Sequence, residues 1–116
     1  RHSSATVSVG NLMVDLSPNC AKIGDARLHL TAKEFRIIEF LALRMGAVSS
    51  KDAFLNHLYG GIDEPEPKII DVFMCKLRRK LADADAGASG VVIDKNWGQS
   101  YILREMRDYD AMTATA

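Results

Sequence analysis

Lys68-Ile69-Ile70-Asp71-Val72-Phe73-Met74-Cys75-Lys76-Leu77-Arg78-Arg79-Lys80-Leu81 carries the pattern from which the rest of the chain can be read. Ile70, Phe73, Met74, Leu77 and Leu81 recur at the three- and four-residue spacing that brings side chains to one face of an α-helix. That stripe is read as buried. Opposite it fall Lys68, Val72, Cys75, Lys76 and Arg79, with Ile69, Asp71, Arg78 and Lys80 on the flanks. The segment carries five cations against one anion, although the 116-residue chain as a whole has no net charge. A face that only solubilises a helix has no use for Ile69 and Val72. A helix lying in the major groove of DNA uses both kinds of residue, cations for phosphates and guanine edges and small apolar groups for thymine methyls.

Working backwards, Pro67 fits the first turn of this third helix, where its missing N–H costs nothing. The acidic loop Ile62-Asp63-Glu64-Pro65-Glu66 precedes it. A second helix is read from a start signal at Ser49 and Asp52, through Phe54, Leu55, Leu58 and Tyr59, to Gly60-Gly61. A first helix opens at Thr31 with Glu34 three residues on, the capping-box spacing, and Leu30 and Phe35 are spaced as a hydrophobic staple. Phe35, Ile38, Leu41, Ala42 and Met45 form its apolar stripe, and Gly46 can close it. Before it, Val7–Val9, Leu12–Leu16, Ala21–Ile23 and Arg27–Leu30 alternate between turn signals at Gly10-Asn11, Ser17-Pro18-Asn19 and Gly24-Asp25, as a four-stranded antiparallel sheet would. Beyond the third helix, Val91-Val92-Ile93 and Tyr101-Ile102-Leu103 flank a turn assigned to Asn96 and Gly98, a terminal hairpin.

The expected fold class is therefore α+β: a four-stranded antiparallel sheet, a three-helix core and a C-terminal β-hairpin. Residues 7–104 are read as one domain, with 1–6 as a linker remnant and 105–116 as a tail. Length and a 47% hydrophobic content suit a single modest core. No apolar run is long enough for a membrane span, so a cytoplasmic protein is expected. Cys20 and Cys75 form no metal-binding or disulfide pattern, and no cofactor or metal is expected. Ser, His and Asp are scattered without an acid/base or nucleophile constellation, which speaks against an enzyme. His57 and His29 read as structural, and Trp97 reads either as a groove-inserting side chain or as an anchor for the hairpin.

The run Leu30-Thr31-Ala32-Lys33-Glu34-Phe35 resembles the L-T-x-x-E-[FY] opening of the effector domains of OmpR/PhoB response regulators. Ile70-Asp71-Val72-Phe73 and Lys76-Leu77-Arg78-Arg79-Lys80-Leu81 resemble their recognition helix. The stretches Phe54–Gly61, Asp63–Glu66 and Lys68–Phe73 are similar to the branch of that family that regulates the alphaproteobacterial cell cycle. The resemblance covers nearly the whole chain. It implies a winged helix-turn-helix that binds double-stranded DNA, with the third helix in the major groove and the hairpin as a wing at the minor groove. On that resemblance the DNA-contacting positions are Lys68, Val72, Cys75, Lys76 and Arg78, to which the helical reading adds Ile69 and Arg79 and the wing adds Lys95 and Trp97. The loop carrying Gly60, Gly61, Asp63, Glu64 and Glu66 corresponds to the one that commonly touches RNA polymerase. A receiver domain, absent from this chain, and dimerisation on DNA are also implied. In the wing, Gln99 and Ser100 stand where that branch has arginine and glycine. A winged helix used for protein interaction, or a transcription factor independent of phosphorylation, is the alternative.

Overall fold

The computed structural model describes residues 6–16, 19–85, 90–96 and 100–105. Strands β1 (Thr6–Val9), β2 (Leu12–Leu16), β3 (Asn19–Ile23) and β4 (Ala26–Arg27) form an antiparallel sheet in sequential order. Alternation sets its faces: Leu12 and Val14 are buried while Met13 between them is exposed, and Ala21 and Ile23 continue the inner face. The expected fourth strand is cut to two residues. After Arg27 the Leu28 amide still reaches the Ala21 carbonyl at 2.9 Å, and the chain then leaves the sheet to bring Leu30 and Thr31 to the start of a helix.

Helix α1 (Ala32–Leu43) begins with the capping box read from the sequence. The Glu34 amide donates to Thr31 Oγ1 at 3.2 Å and the Thr31 amide to Glu34 Oε1 at 2.9 Å. Phe35, Ile38, Leu41 and Ala42 are buried as expected, and so is Ile37, because the helix is covered by the sheet on one side and by the second helix on the other. Met45 does not extend the stripe. The helix ends at Leu43 and Met45 is 46% exposed in the turn that Gly46 makes at φ 84°.

Helix α2 spans Lys51–Tyr59 and α3 spans Lys68–Asp85. The cap of α2 is Ser50, whose hydroxyl accepts from the Ala53 amide, and not Ser49. Ser49 is buried because residues Ser49–Ser50 form a short strand, β5, which the sequence reading did not contain. Gly60 closes α2 in the left-handed conformation at φ 66°. Pro67 stands one residue ahead of α3, its carbonyl accepting from the Ile70 amide. On α3, Ile70, Met74, Leu77 and Leu81 are buried, and Phe73 is partly buried against them.

Strands β6 (Val91–Asn96) and β7 (Ser100–Glu105) pair antiparallel, and β5 adds to β7 with Ser49 opposite Tyr101. The hairpin is thus part of a three-stranded sheet ordered β5-β7-β6. Asn96, expected in the turn, is instead the last paired residue of β6, opposite Ser100. The two sheets meet where the β1–β2 turn touches the start of β6. A Cβ on Gly10 would lie 2.6 Å from the Gly90 carbonyl oxygen, and one on Gly90 would lie 2.1 Å from Asn11 Oδ1, so neither position has room for a side chain. One core joins both sheets and all three helices. This is the winged-helix arrangement.

Candidate nucleic-acid interface

Burial of one α3 face fixes what the other presents. Lys68, Val72, Cys75, Lys76, Arg78 and Arg79 are exposed, with Val72 at 44%. Ile69 is half-buried, packed at the edge of the core, and with Pro65, Glu66, Lys68 and Val72 it lines a shallow, largely apolar groove at the start of the helix. Among the described residues, Lys68, Lys76 and Arg79 have no hydrogen bond or ion pair to another side chain.

The remaining cations around α3 are engaged. Arg78 Nε donates to the Ile93 carbonyl of β6 at 3.0 Å, and its guanidinium lies 5.6 Å from the centre of the Tyr101 ring. Lys80 Nζ reaches Glu34 Oε1 at 2.5 Å and the His29 carbonyl at 2.8 Å. Burial pushes the Glu34 carboxyl up, but Lys80 and the Thr31 amide and hydroxyl outweigh it and hold it below its ordinary value. This ties α3 to the first turn of α1.

Asp71, the one anion of the segment, is the junction of α2, α3 and the wing. Its Oδ2 accepts from Lys51 Nζ at 2.8 Å, its Oδ1 accepts from the Tyr101 hydroxyl, and Lys95 Nζ stands 3.5 Å from Oδ1. The Lys51 bond above all, then the Tyr101 hydroxyl, lower the Asp71 carboxyl to about 2, so it is charged wherever the protein is folded at ordinary pH. Burial, with Asp71 beside it, raises the Tyr101 phenol well above its ordinary value. Tyr101 is 2% exposed and packs edge-on against Phe54 of α2. Lys95 is thus not an unencumbered cation at the wing: its ammonium is shared with Asp71 and the Tyr101 ring, at 5.8 Å from the ring centre. Trp97, Gly98 and Gln99 lie outside the described residues.

In the α2–α3 loop, Gly60, Gly61, Asp63, Glu64 and Glu66 are all exposed, as is Ile62 at 72%. Asp63 adopts φ 51°, a turn conformation that an aspartate accepts more readily than most residues. Neither this loop nor any other described part of the molecule gathers three potential metal ligands. His57 stacks on Phe40 with ring centres 4.7 Å apart, and burial first, then Arg36, keeps its imidazole below the usual value. No described helix is long and apolar enough to cross a membrane.

Comparison with known proteins agrees with this geometry. A family model described as the C-terminal domain of transcriptional regulatory proteins matches residues 25–103. The cell cycle response regulator CtrA of Brucella anthropi is 49% identical over 104 residues, covering 90% of this chain and 44% of the relative, and CtrA of Brucella ovis matches to the same extent. The chain therefore spans less than half the length of these curated relatives. Among solved structures, the DNA-binding domain of CpxR from E. coli superposes with a TM-score of 0.72 at 27% identity, covering 88% of this chain and 98% of that one. The DNA-binding domain of RstA from Klebsiella pneumoniae, solved in complex with the RstA box, gives 0.72 at 25% identity over 86% and 97%. The DNA-binding domain of CadC from E. coli, at 23% identity and a TM-score of 0.73 over 89% and 95%, shares the fold.

Proposed function

This chain belongs to the family of transcriptional regulatory protein C-terminal domains, and from that membership we propose that it is the sequence-specific, double-stranded DNA-binding effector domain of a response regulator akin to CtrA. One observation carries the reading: three exposed cations that have no side-chain partner among the described residues, Lys68, Lys76 and Arg79, flank the exposed Val72 and Cys75 on a helix otherwise anchored in the core. Such a face offers phosphate contacts and apolar contacts together. In this reading α3 enters the major groove, with Lys68, Ile69, Val72, Cys75, Lys76, Arg78 and Arg79 as its contact residues. The β6–β7 hairpin approaches the minor groove through Lys95 and Trp97. Residues 7–104 are the working domain, β1 and β7 extending it by one residue at each end.

The whole regulator adds a phosphorylatable receiver ahead of this domain, acts at the nucleoid in the cytoplasm and pairs on DNA. Its contact with RNA polymerase is made through Gly60–Glu66, whose acidic side chains are repelled by phosphate and open to a protein partner.

Selection of bound duplexes from a random pool tests the DNA reading. One enriched motif is expected, with an affinity that falls steeply with salt as phosphate contacts release counterions. Salt-indifferent binding, or none, would favour a winged helix used for protein interaction. Reversing the charges of Asp63, Glu64 and Glu66 should leave DNA affinity nearly unchanged and lower transcription from a dependent promoter. Equal loss of both would remove the polymerase contact from the scheme.

A further inference from the structure

A cation at a DNA interface adds affinity for any sequence, so a reader gains selectivity when some of its cations are released only in the correct complex. We propose that Asp71 is a specificity-determining residue, whose carboxylate retains the wing ammonium of Lys95 except where a phosphate is held in register to take it. This rests on the DNA-binding reading above.

Asp71 lies on the flank of the recognition face, between the exposed α3 cations and the wing. Its three partners are not equivalent. The Lys51 side chain is 11% exposed and the Tyr101 hydroxyl belongs to a buried ring, so both are fixed parts of the fold. Lys95 is 41% exposed at the longer distance of 3.5 Å, so it is the partner that can leave. Its two attractions, an ion pair and a cation–π contact made by an ammonium that is itself exposed, are of the weak kind that water and salt screen. A phosphate held at a fixed place by a seated α3 can replace them. A phosphate passing in a loose, out-of-register complex gains no such advantage, and Lys95 stays with Asp71. When Lys95 does leave, Lys51 and Tyr101 still satisfy the carboxylate, so release exposes no unpaired charge.

The test uses the 116-residue chain with a duplex selected from the random pool and a scrambled duplex of equal composition, each titrated across salt. Asp71→Asn drops the charge but keeps one acceptor oxygen, which can take the Lys51 ammonium while the new amide N–H donates to the Tyr101 hydroxyl oxygen. It should raise affinity for the scrambled duplex about fivefold at about 0.1 M salt and steepen its salt slope by about one. Affinity for the selected duplex should rise about twofold or less, so selectivity falls. Adding Lys95→Met to Asp71→Asn should return the scrambled affinity to the parental value, a reversal that a merely structural role for Asp71 would not give. Lys95→Met alone should weaken the selected duplex about fivefold and leave the scrambled one unchanged, a result that stands even if Asp71→Asn fails to fold. Equal changes on both duplexes for Lys95→Met, or no reversal in the double variant, would overturn the proposal while leaving DNA binding intact. A parent chain without salt-dependent duplex binding would overturn the functional reading and this inference with it.

Discussion

Cations lie on both sides of α3, and they are held differently. On its outward face Lys68, Lys76 and Arg79 have no protein partner among the described residues. Toward the wing and α1, Lys51, Arg78, Lys80 and Lys95 are each bound to a carboxylate or a carbonyl. The five-cation segment is therefore not five equivalent DNA contacts. Charge counts locate such an interface, but only the partner of each charge says whether it is available to DNA, occupied by the fold or shared between them.

The sharpest way to break this division is at its buried end. Tyr101→Ala should cost about 3–5 kcal/mol of stability, the range for removing a buried aromatic, because the ring fills the space between Phe54 and α3 and its hydroxyl serves Asp71. Urea denaturation measures it, and a loss under about 1 kcal/mol would mean that the wing is not anchored by this residue.

Next come Lys76→Ala and Arg79→Ala, for which the expectation is inverted: stability within about 0.5 kcal/mol of the parent and clearly weaker DNA binding. A lost phosphate contact lowers the salt slope by about one, and a lost base contact relaxes one position of the motif by about 1–3 kcal/mol. Parental affinity in both variants would show that this face does not meet DNA.

Arg78→Ala should fall between the two classes, losing about 1 kcal/mol of stability with the Ile93 hydrogen bond and the ring contact, and less DNA affinity than Lys76→Ala. If it matches Lys76→Ala in affinity and leaves stability untouched, Arg78 belongs with the unpartnered cations.

The smallest effect is acidic. Asp71 titrates near 2 when folded against an ordinary value of 3.8. Its contribution is complete above the unfolded value and is lost as pH falls through the folded one. Between about pH 4 and pH 2 the parent should therefore lose stability relative to Asp71→Asn, by less than about 1 kcal/mol because the carboxylate is partly screened by water. Parallel stability curves for the two proteins over that range would separate Asp71 from the acid response.

Local rules made much of this legible in advance. The capping box at Thr31 and Glu34, the stripe of α3 and the turns at Gly10 and Gly24 each follow from a few adjacent residues, and all are present. What depended on distant partners was hidden. Ser49 carries the signal of a helix cap, and only its pairing with Tyr101 makes it a strand residue and shifts the cap to Ser50. Asp71 reads as one acid among bases, and nothing nearby in the chain announces that Lys51, Tyr101 and Lys95 converge on it. Lys95 reads as a DNA-contacting position of the wing, and its pairing with Asp71 is hidden for the same reason. Ile69, on the flank of the helical wheel, is half-buried because it packs at the edge of the core.

The pairing of β5 with β7 also bears on how the chain is made. Ser49 and its partner Tyr101 enclose both α2 and α3 between them. A chain emerging from the ribosome can form the β1–β4 meander and α1 early, since their contacts are between near neighbours. Phe54 has no ring from Tyr101 beside it, Ser49 has no strand partner, and Asp71 lacks one of its fixed donors, until β7 has emerged. Closure of the core is thus deferred until β7 has been made, when the recognition helix and the wing can be locked together. A nascent chain halted before Tyr101 would carry a basic helix without the wing that orients it.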